Sequence, residues 1–453
     1  MIRIINTKLN IFAEEVDFLK MLFGVWGLTS GGAERVLSVL CSQLAMMGHE
    51  VHLYIKYHED NEYELDKRVI VHRGYDRSIA QLAEDAQIKA QQKADGIIPV
   101  PDNNVDKVTN VTASVKFFYE KGRSVRRKLL RIKRRLGIHL RIYPRVRNLV
   151  YSIKNILPVK HALASLLDEI HPEIIVPFLP GSELELYLAN KGKHIPFIHC
   201  VRVYQKLYTD KWRILNDYFA IRADAIFVQT SEQRRYYYPM LRKKAFVLGN
   251  PINIAFIKTT NVPFTPVITD FIAVGRLAPQ KNYEMMILAM EKVIQQKKDV
   301  RLSIYGNGEE ERRLSELIAK LNLSKSIQIY PRVPNIIDEL KKSHCFLMTS
   351  TYEGMPNALM EAMCVGLPCI STDCLSGPRD LIGQNERGTL VPCGDIQAFT
   401  NAILNAIDHP QMIYEKAQLG SCFIRDNYSP EHIAKIFEKE CKKVLNTNCC
   451  ITS

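Results

Sequence analysis

The feature that most constrains the fold of this chain is a pattern that occurs twice: a short apolar run, a turn, and apolar residues at helical spacing. In the first half, the apolar run Phe18–Trp26 leads through two glycines into a helical pattern over residues 33–47, and a second apolar run follows at Val51–Tyr57. In the second half, Phe271–Val274 begins the same order again. Alternating strands and helices of this kind predict parallel β-sheets covered by helices.

Further apolar runs of strand length continue the pattern in both halves. They are Ile174–Leu179, Pro196–Val201, Ala225–Thr230, Ala245–Leu248, Arg301–Tyr305, Ile327–Tyr330, Cys345–Thr349, Pro368–Thr372 and Gly388–Val391. A stretch with Pro and Thr near residues 254–267 interrupts the alternation. Because 453 residues exceed the size at which one core stops growing, we predict two Rossmann-like, doubly wound α/β domains, residues 18–255 and 268–430, facing a central cleft.

Four other segments stand apart from this pattern. Residues 1–17 read as an N-terminal extension, and residues 85–115 are polar enough to predict an insertion or loop. Residues 431–453 read as a C-terminal helix and tail, for which a crossing back to the N-terminal domain is one option. The fourth segment is residues 121–154, which carry the strongest concentration of charge.

The basic segment 121–154 is dense in Arg and Lys, contains no Asp or Glu, and has apolar residues between the charges. With a formal net charge of +13, the chain is expected to associate with an anionic partner, and a basic amphipathic stretch suits the headgroup region of a membrane. A solvated basic face is the alternative. Nucleic acid is disfavoured because no recognisable binding motif or aromatic stacking pattern accompanies the charge.

The spacing of the cysteines and the composition of the N-terminal residues bear on the cellular compartment of the protein. The chain has 11 cysteines without a CxxC pair or a Cys/His ligand spacing, and we expect Cys364, Cys369 and Cys374 to be buried thiols. No apolar run reaches the roughly 20 residues that span a bilayer, and the N-terminus lacks the order of a secretion signal. We therefore expect a cytoplasmic protein, peripheral at the inner face of the membrane.

The first chemical motif is TSGGAERV, in which Gly31 and Gly32 lie between a predicted strand and a predicted helix. Glycine lets the backbone approach a ligand closely, and free N–H groups at a helix start favour a phosphate. The motif is not GxGxxG, which counts against a nicotinamide or flavin enzyme. A plain tight connection is the alternative.

The second motif is GRLAPQKN, which follows the strand Phe271–Val274 and contains Arg276 and Lys281. Open α/β sheets bind ligands at the carboxyl ends of their strands, and two cations there suit a diphosphate. Two solvated surface cations are the alternative interpretation.

The third motif, EGMPNALMEAM, follows the strand Cys345–Thr349 and places Glu353 and Glu361 eight positions apart. Carboxylates at a strand's carboxyl end can accept hydrogen bonds from sugar and ribose hydroxyls. In isolation, two glutamates at this spacing also fit a solvated pair.

These motifs, together with YGNGEE and DCLSGP, resemble family 4 glycosyltransferases of the GT-B fold, which carry two glutamates separated by seven residues. The similarity extends from about Phe18 onward and is densest from Phe271 to Asp395. It implies retaining transfer of a hexose or N-acetylhexosamine from a nucleoside diphosphate sugar as co-substrate, without a metal or other cofactor. The sequence agrees in one respect, since it contains no Asp-x-Asp pair for Mg²⁺ or Mn²⁺.

The resemblance also implies roles for individual residues. Arg276 and Lys281 would stabilise the departing diphosphate, Glu353 would face the transferred sugar, and Glu361 would hold the ribose hydroxyls. No protein nucleophile is assigned. The remaining donor-side residues are Gly31, Gly32, Gly275, Gly306, Asn307, Gly308, Gly354, Met355, Asn357 and Ala358.

The acceptor side is less defined. Many relatives carry a polar residue after the strand corresponding to Pro196–Val201, where His199 and Arg202 are the candidates; a buried histidine and a structural cation are the alternatives. Residues 376–379 (SGPR) resemble a subset of the family that uses UDP-activated galactose or N-acetylhexosamine. The basic segment favours a polyprenyl-diphosphate-linked glycan of surface polysaccharide or glycoconjugate biosynthesis, with soluble acceptors left open.

Two other classes of protein are compatible with parts of this pattern. A nucleotide-sugar epimerase or a phosphorylase can share two facing Rossmann-like domains, although the motif from Glu353 to Glu361 argues against both. A non-catalytic basic protein that binds membranes or nucleic acid would tolerate replacement of Arg276, Lys281 and Glu361.

Overall fold

The computed structural model describes residues 18–29, 31–58, 62–78, 159–202 and 210–452. The predicted extension 1–17, the polar insertion 85–115 and the basic segment 121–154 lie outside the described residues. The described parts of the chain form two α/β domains followed by a long C-terminal helix.

The N-terminal domain is built on parallel strands in two sheets. One has the order β3-β2-β1-β4 and the other β5-β6-β7, and a parallel bridge between Ile175 and Phe197 joins β4 to β5. The strand order therefore reverses between β1 and β4. The strands are β1 (Lys20–Val25), β2 (Glu50–His58), β3 (Ile70–Ser78), β4 (Ile174–Pro177), β5 (Ile198–Cys200), β6 (Ala225–Val228) and β7 (Ala245–Val247).

Helices cover both faces of this sheet. The inward side of α1 carries Val36, Leu37, Leu40 and Leu44, whose helical spacing buries one stripe against the strands. The helices are α1 (Gly32–Met46), α2 (residues 159–170), α3 (Pro180–Ala189), α4 (Asp210–Arg222), α5 (Ser231–Tyr236) and α6 (Pro239–Arg242).

The C-terminal domain has one six-stranded sheet of order β10-β9-β8-β11-β12-β13. Every residue of β11 and β12 is buried, because helices cover both faces of a parallel sheet and its central strands read as unbroken apolar runs. The strands are β8 (Asp270–Val274), β9 (Arg301–Tyr305), β10 (Ile327–Tyr330), β11 (Cys345–Met348), β12 (Cys369–Thr372) and β13 (Thr389–Val391). All six were predicted from apolar runs, and the prediction is confirmed.

The helices of the C-terminal domain follow the strands in alternation, and a short helix, α7, precedes the first strand. They are α7 (Ile254–Lys258), α8 (Tyr283–Gln296), α9 (Glu311–Lys320), α10 (Ile336–Lys342), α11 (Asn357–Cys364), α12 (Pro378–Ile382), α13 (Ile396–Asp408) and α14 (Pro410–Asn427). The strand order reverses between β8 and β11, which gives this sheet the same topology as the first six strands of the N-terminal domain.

The last helix, α15 (Pro430–Thr452), lies on the N-terminal domain. Its apolar stripe enters the core of that domain, where the Phe437 ring is stacked on Phe23 with centroids 5.6 Å apart and meets Phe227 edge-on at 5.2 Å. A segment that follows the second domain in sequence is thereby part of the core of the first. The stripe consists of Ile433, Ala434, Phe437, Cys441 and Val444.

Cys364, Cys369 and Cys374 are buried free thiols, as predicted. Burial raises the pKa of Cys364 to about 11 and also raises the pKa values of Cys369 and Cys374, which favours neutral thiols at physiological pH. Within the described ranges, none of the helices combines the length and the apolar character that crossing a bilayer requires.

Candidate active site

The three predicted motifs lie at the carboxyl edges of the sheets in the two domains, and both edges border one cleft. The strand order reverses between β1 and β4 in the N-terminal domain and between β8 and β11 in the C-terminal domain. Open α/β sheets bind ligands at the carboxyl edge beside such a reversal. Gly31 and Gly32 open α1 after β1, residues 275–281 follow β8, and residues 353–361 follow β11. Motifs more than 300 positions apart in the sequence therefore face each other.

Lys281 and Glu353 form an ion pair at this edge, with 2.6 Å between Nζ and Oε1. Lys281 is the last residue of a short 3-10 turn, and Thr349 fixes that turn by donating to the Lys281 carbonyl at 3.0 Å. Gln280 donates to the Tyr352 carbonyl at 2.8 Å, so the loops after β8 and β11 are tied together. The pair is largely buried, and such charge-assisted hydrogen bonds are the strong ones.

Arg276 is exposed on the same loop and lines an open pocket of about 320 Å³ together with Gln280, Glu309 and Tyr352. No hydrogen bond or ion pair with another described residue engages its side chain. A free guanidinium beside a pocket of this size can bind an anionic ligand such as a diphosphate. In the described part of the chain, no group of three His, Cys, Asp or Glu side chains has the arrangement of metal ligands.

The predicted donor-side residues Gly306, Asn307 and Gly308 form the loop after β9, which packs tightly against the loop after β8. The Leu277 amide donates to the Asn307 carbonyl at 2.9 Å. A β-carbon on Gly306 would overlap the carbonyl oxygen of Gly275, and one on Gly308 would overlap that of Leu277. Glycine is required at both positions because the two loop backbones are in direct contact. This steric reason is independent of any contact with a ligand.

Glu361 lies on α11 and forms an ion pair with Arg35 of α1, across the interface between the domains. Burial raises the pKa of the Glu361 carboxyl, and the Arg35 charge opposes that increase. A small cavity of about 10 Å³ beside the pair is lined by residues of both domains, including Asn253, Asn357 and Met360. The sequence indicated Glu361 but not its partner, although Arg35 belongs to the quoted motif TSGGAERV.

A chain of side-chain amides connects the domains next to this pair. Asn357 donates to the Gly32 carbonyl at 3.1 Å and accepts from Asn250 at 2.7 Å. Asn250 in turn accepts from Gln229 at 2.9 Å and from Arg202 at 3.2 Å. Asn250 was missed by sequence reasoning; the signal for it was a polar residue shortly after a strand end, at the edge where ligands bind.

The residues that open α11 complete the contact with the N-terminal domain. A β-carbon on Gly354 would overlap the Gln229 side chain, so glycine at this position allows the domains to approach. The Met355 sulfur accepts from the Asn250 amide at 3.2 Å, and Ala358 lies half-buried in the first turn of α11. Ser376 hydrogen-bonds to Thr230 at 2.6 Å from the next loop.

Arg202 and His199, the acceptor-side candidates, differ in their surroundings. His199 is buried, with Nδ1 paired to Glu183 and Nε2 3.1 Å from the Asn216 amide oxygen, so both ring nitrogens are occupied. Arg202 belongs to the amide chain between the domains, and its guanidinium lies 3.8 Å from the centre of the Phe178 ring. Burial lowers the pKa of Arg202 to about 10, and Nε has no hydrogen-bond partner among the described residues.

Trp26 is a second residue at the cleft that sequence reasoning missed as a site residue. It follows β1 directly and leaves 44% of its surface exposed, next to the backbone of Gly181 at the start of α3. The Lys56 ammonium is 5.2 Å from the centre of the indole and pairs with the buried Glu185. The indole is thus held between the Lys56 ammonium and the Gly181 backbone, with the rest of its surface open to solvent.

Comparison with known proteins agrees with this geometry. Residues 269–418 match the family model described as glycosyl transferases group 1. The match covers most of the C-terminal domain, which is therefore similar to glycosyltransferases of this group. The prediction of a glycosyltransferase is thus confirmed at this level, whereas the assignment to family 4 and the retaining outcome stay predictions.

Two curated relatives extend the likeness in sequence. An uncharacterized glycosyltransferase of Methanocaldococcus jannaschii is 28% identical over 251 residues, which are 50% of this chain and 62% of the relative. The lipopolysaccharide 1,6-galactosyltransferase of Escherichia coli K12 is 32% identical over 164 residues, which are 32% of this chain and 45% of the relative. The chain thus spans about half the length of the curated relatives that it matches.

Solved structures show the same architecture over nearly the whole chain. TarM of S. aureus, a variant in complex with fondaparinux, α-GlcNAc-glycerol and UDP, superimposes with a TM-score of 0.66 at 16% identity and covers 94% of this chain and 100% of its own. HepE of Anabaena in complex with UDP gives a TM-score of 0.64 at 14% identity, with the same coverage. These likenesses confirm the predicted GT-B fold.

Proposed function

We propose that this chain is a retaining family 4 glycosyltransferase that moves a hexose or N-acetylhexosamine from a UDP-sugar to a glycan acceptor without a catalytic metal. One observation carries the proposal: the loops after β8 and β11 bring Arg276, Lys281 and Glu353 to one edge of the C-terminal sheet. That edge faces the glycine turn and Arg35 of the other domain.

In this proposal the diphosphate binds beside Arg276 and Lys281. Negative charge develops on the departing phosphate as the bond to the sugar breaks, and fixed cations at that place stabilise the transition state. Glu353 holds the Lys281 ammonium by the 2.6 Å ion pair, and in the proposal it also accepts a hydrogen bond from a sugar hydroxyl. The absence of an Asp-x-Asp pair from the sequence supports charge neutralisation by these cations.

Glu361 would accept hydrogen bonds from the ribose hydroxyls of the nucleotide. Since Arg35 occupies the Glu361 carboxylate in the described structure, the nucleotide must share or displace that ion pair. Such an exchange implies that the two domains separate and close again around the donor. The solved structures of TarM and HepE are complexes with UDP, which supports UDP as the carrier.

The acceptor would bind on the N-terminal side of the cleft, where Trp26 offers an exposed ring and Arg202 a buried cation. A glycan acceptor is supported by the names of two relatives: the E. coli lipopolysaccharide galactosyltransferase, and an amylovoran biosynthesis glycosyltransferase of Erwinia amylovora that is 35% identical over 164 residues. The basic segment 121–154 favours a lipid-linked acceptor, and hence a place at the inner face of the membrane.

The test is a panel of nucleotide sugars incubated with the purified chain in EDTA, with nucleotide release followed in the presence and absence of a membrane lipid extract. We expect lipid-stimulated release of UDP from one donor of the panel. If a folded sample neither binds nor turns over any donor, the chain is a non-catalytic relative and the proposal is wrong.

A further inference from the structure

The N-terminal domain has a surface on which large apolar side chains are exposed, formed by α4 and by the turn into α6. We call it the α4–α6 surface. On α4 the exposed residues recur at positions i, i+4 and i+7, which is one stripe of a helix. The exposed fractions are 68% for Ile214, 41% for Tyr218, 60% for Ile221, 81% for Tyr238 and 80% for Met240.

These residues belong to one continuous surface because α4 and the segment from α5 to β7 pack together. The inner face of α4 is buried through Ala220, in a cluster that also contains Tyr237 and Ala245. The Tyr236 hydroxyl donates to Asp217 at 3.3 Å, and Lys244 donates to the Ile221 carbonyl at 3.0 Å. Large apolar side chains therefore occur on both faces of the helix, and only those of the inner face are covered by described residues.

The same surface is rich in cations. Residues 213–244 contain seven Lys or Arg and three Asp or Glu. Arg242 and Lys244 donate to backbone carbonyls and so help to hold the fold, whereas Arg222 and Lys243 are exposed, and the Arg222 guanidinium lies 5.2 Å from the centre of the Tyr218 ring. Apolar groups surrounded by cations match the interface of an anionic lipid bilayer, where apolar side chains enter the acyl boundary and cations meet the headgroups.

We propose that the α4–α6 surface binds the headgroup region of an anionic membrane. The inference rests on the proposed function, in which the acceptor is lipid-linked. It adds a described surface to the membrane contact expected from the basic segment 121–154. Because α4 starts at the carboxyl edge of the sheet and ends at the amino edge, where it leads into β6, the surface lies along the side of the domain and reaches the edge opposite the cleft.

A second copy of the chain is a poorer occupant. A twofold contact through this surface would bring Arg222 and Lys243 of each copy towards the same cations of the other, and like charges at an interface oppose association. Anionic lipid has the complementary charge.

The experiment measures binding of the full chain to vesicles made of equal amounts of phosphatidylcholine and phosphatidylglycerol, against vesicles of phosphatidylcholine alone. Ile214→Ser with Ile221→Ser, and Tyr238→Ser with Met240→Ser, should each weaken binding to the anionic vesicles by at least about tenfold, since each removes apolar area that would enter the interface. Arg222→Glu with Lys243→Glu should weaken it to a similar extent, and added salt should weaken binding of the parent chain.

The matched control is Val267→Ser with Leu419→Ser, two apolar residues with equal exposure on the C-terminal domain, which should bind vesicles like the parent chain. Met240→Trp should strengthen binding, because tryptophan favours the membrane interface; this gain cannot come from misfolding. UDP release without vesicles, followed in parallel, reports on the proposed function separately.

The inference is overturned by failure of the parent chain to bind anionic vesicles, or by surface variants that bind as well as the parent. It is also overturned if the variants abolish self-association of the chain while leaving vesicle binding intact, since a second copy would then be the occupant. If the variants lose vesicle binding and keep UDP release, the inference stands. If no variant and no parent chain releases UDP, the proposed function fails while the vesicle result still decides the surface.

Discussion

The two domains share a topology but build their halves of the cleft in different ways. The C-terminal domain supplies Arg276, Lys281, Glu353 and Glu361 from short motifs on two connections of one sheet. The N-terminal domain supplies groups from separate places in the chain: Arg35, Trp26, Arg202 and Asn250. In the proposed function the C-terminal side binds a nucleoside diphosphate and the N-terminal side binds the acceptor, so the compact motifs belong to the donor and the scattered residues to the acceptor.

Replacing Lys281 is the strongest test of the idea that the C-terminal domain forms the donor side of the cleft. Lys281→Ala should lower kcat for UDP release by about a hundred- to a thousandfold, as the loss of one fixed group that stabilises transition-state charge does. Lys297→Ala removes an exposed lysine paired with Asp408 on the same domain and should leave kcat unchanged. Equal kcat values for Lys281→Ala and the parent chain would contradict the assignment of the donor site to the C-terminal domain.

The pair across the interface predicts opposite effects of its two partners. Glu361→Gln should weaken UDP binding by about tenfold or more, since a hydrogen bond to a charged group contributes roughly 1.5–3 kcal/mol. Arg35→Met should tighten UDP binding, because it frees the Glu361 carboxylate for the ribose. Calorimetric titration of UDP measures both. A shift in the same direction for the two variants would contradict the competition between Arg35 and ribose.

On the acceptor side, Trp26→Ala should raise KM for the acceptor several-fold, up to about tenfold, because an exposed ring that stacks on a sugar contributes on the order of 1 kcal/mol. Trp26→Phe should keep most of the affinity. The affinity for UDP should be the same in all three proteins, and a change in it would show that the two sides of the cleft are not separable in this way.

The smallest expected effect is on the pH dependence of stability. Burial raises the pKa of Glu361 above its ordinary value of 4.5, so its stabilising contribution is complete below that pH and is lost as the pH rises through the folded-state pKa. Glu361→Gln does not titrate. The free energy of unfolding of the variant, minus that of the parent chain, should therefore increase between pH 4.5 and neutrality, as measured by urea denaturation. A constant difference would show that the carboxyl is not perturbed.

The sequence predicted the buried strands well but missed the edge strand β3. Residues such as those of β11 are apolar throughout because both faces of the strand are covered. The edge strand β3 mixes His72, Arg73 and Asp76 with apolar residues, and nothing in its local pattern distinguished it from a loop.

The candidate site divides in the same way. Lys281 and Glu353 could be predicted because each follows a strand and carries a recognisable motif. The pair between Arg35 and Glu361 could not, because it joins residues 326 positions apart and depends on how two separately folded domains face each other. Asn250 and Trp26 were missed for the same reason, since their importance lies in what the other elements bring next to them.

The central claim is that the C-terminal domain holds a nucleoside diphosphate with protein cations and no metal. The most direct measurement is a calorimetric titration of UDP in EDTA into the parent chain and into Lys281→Ala. We predict binding to the parent and an affinity at least about tenfold lower in the variant. Equal affinity in the two proteins, or a parent chain that binds UDP only when a divalent cation is added, would contradict the account.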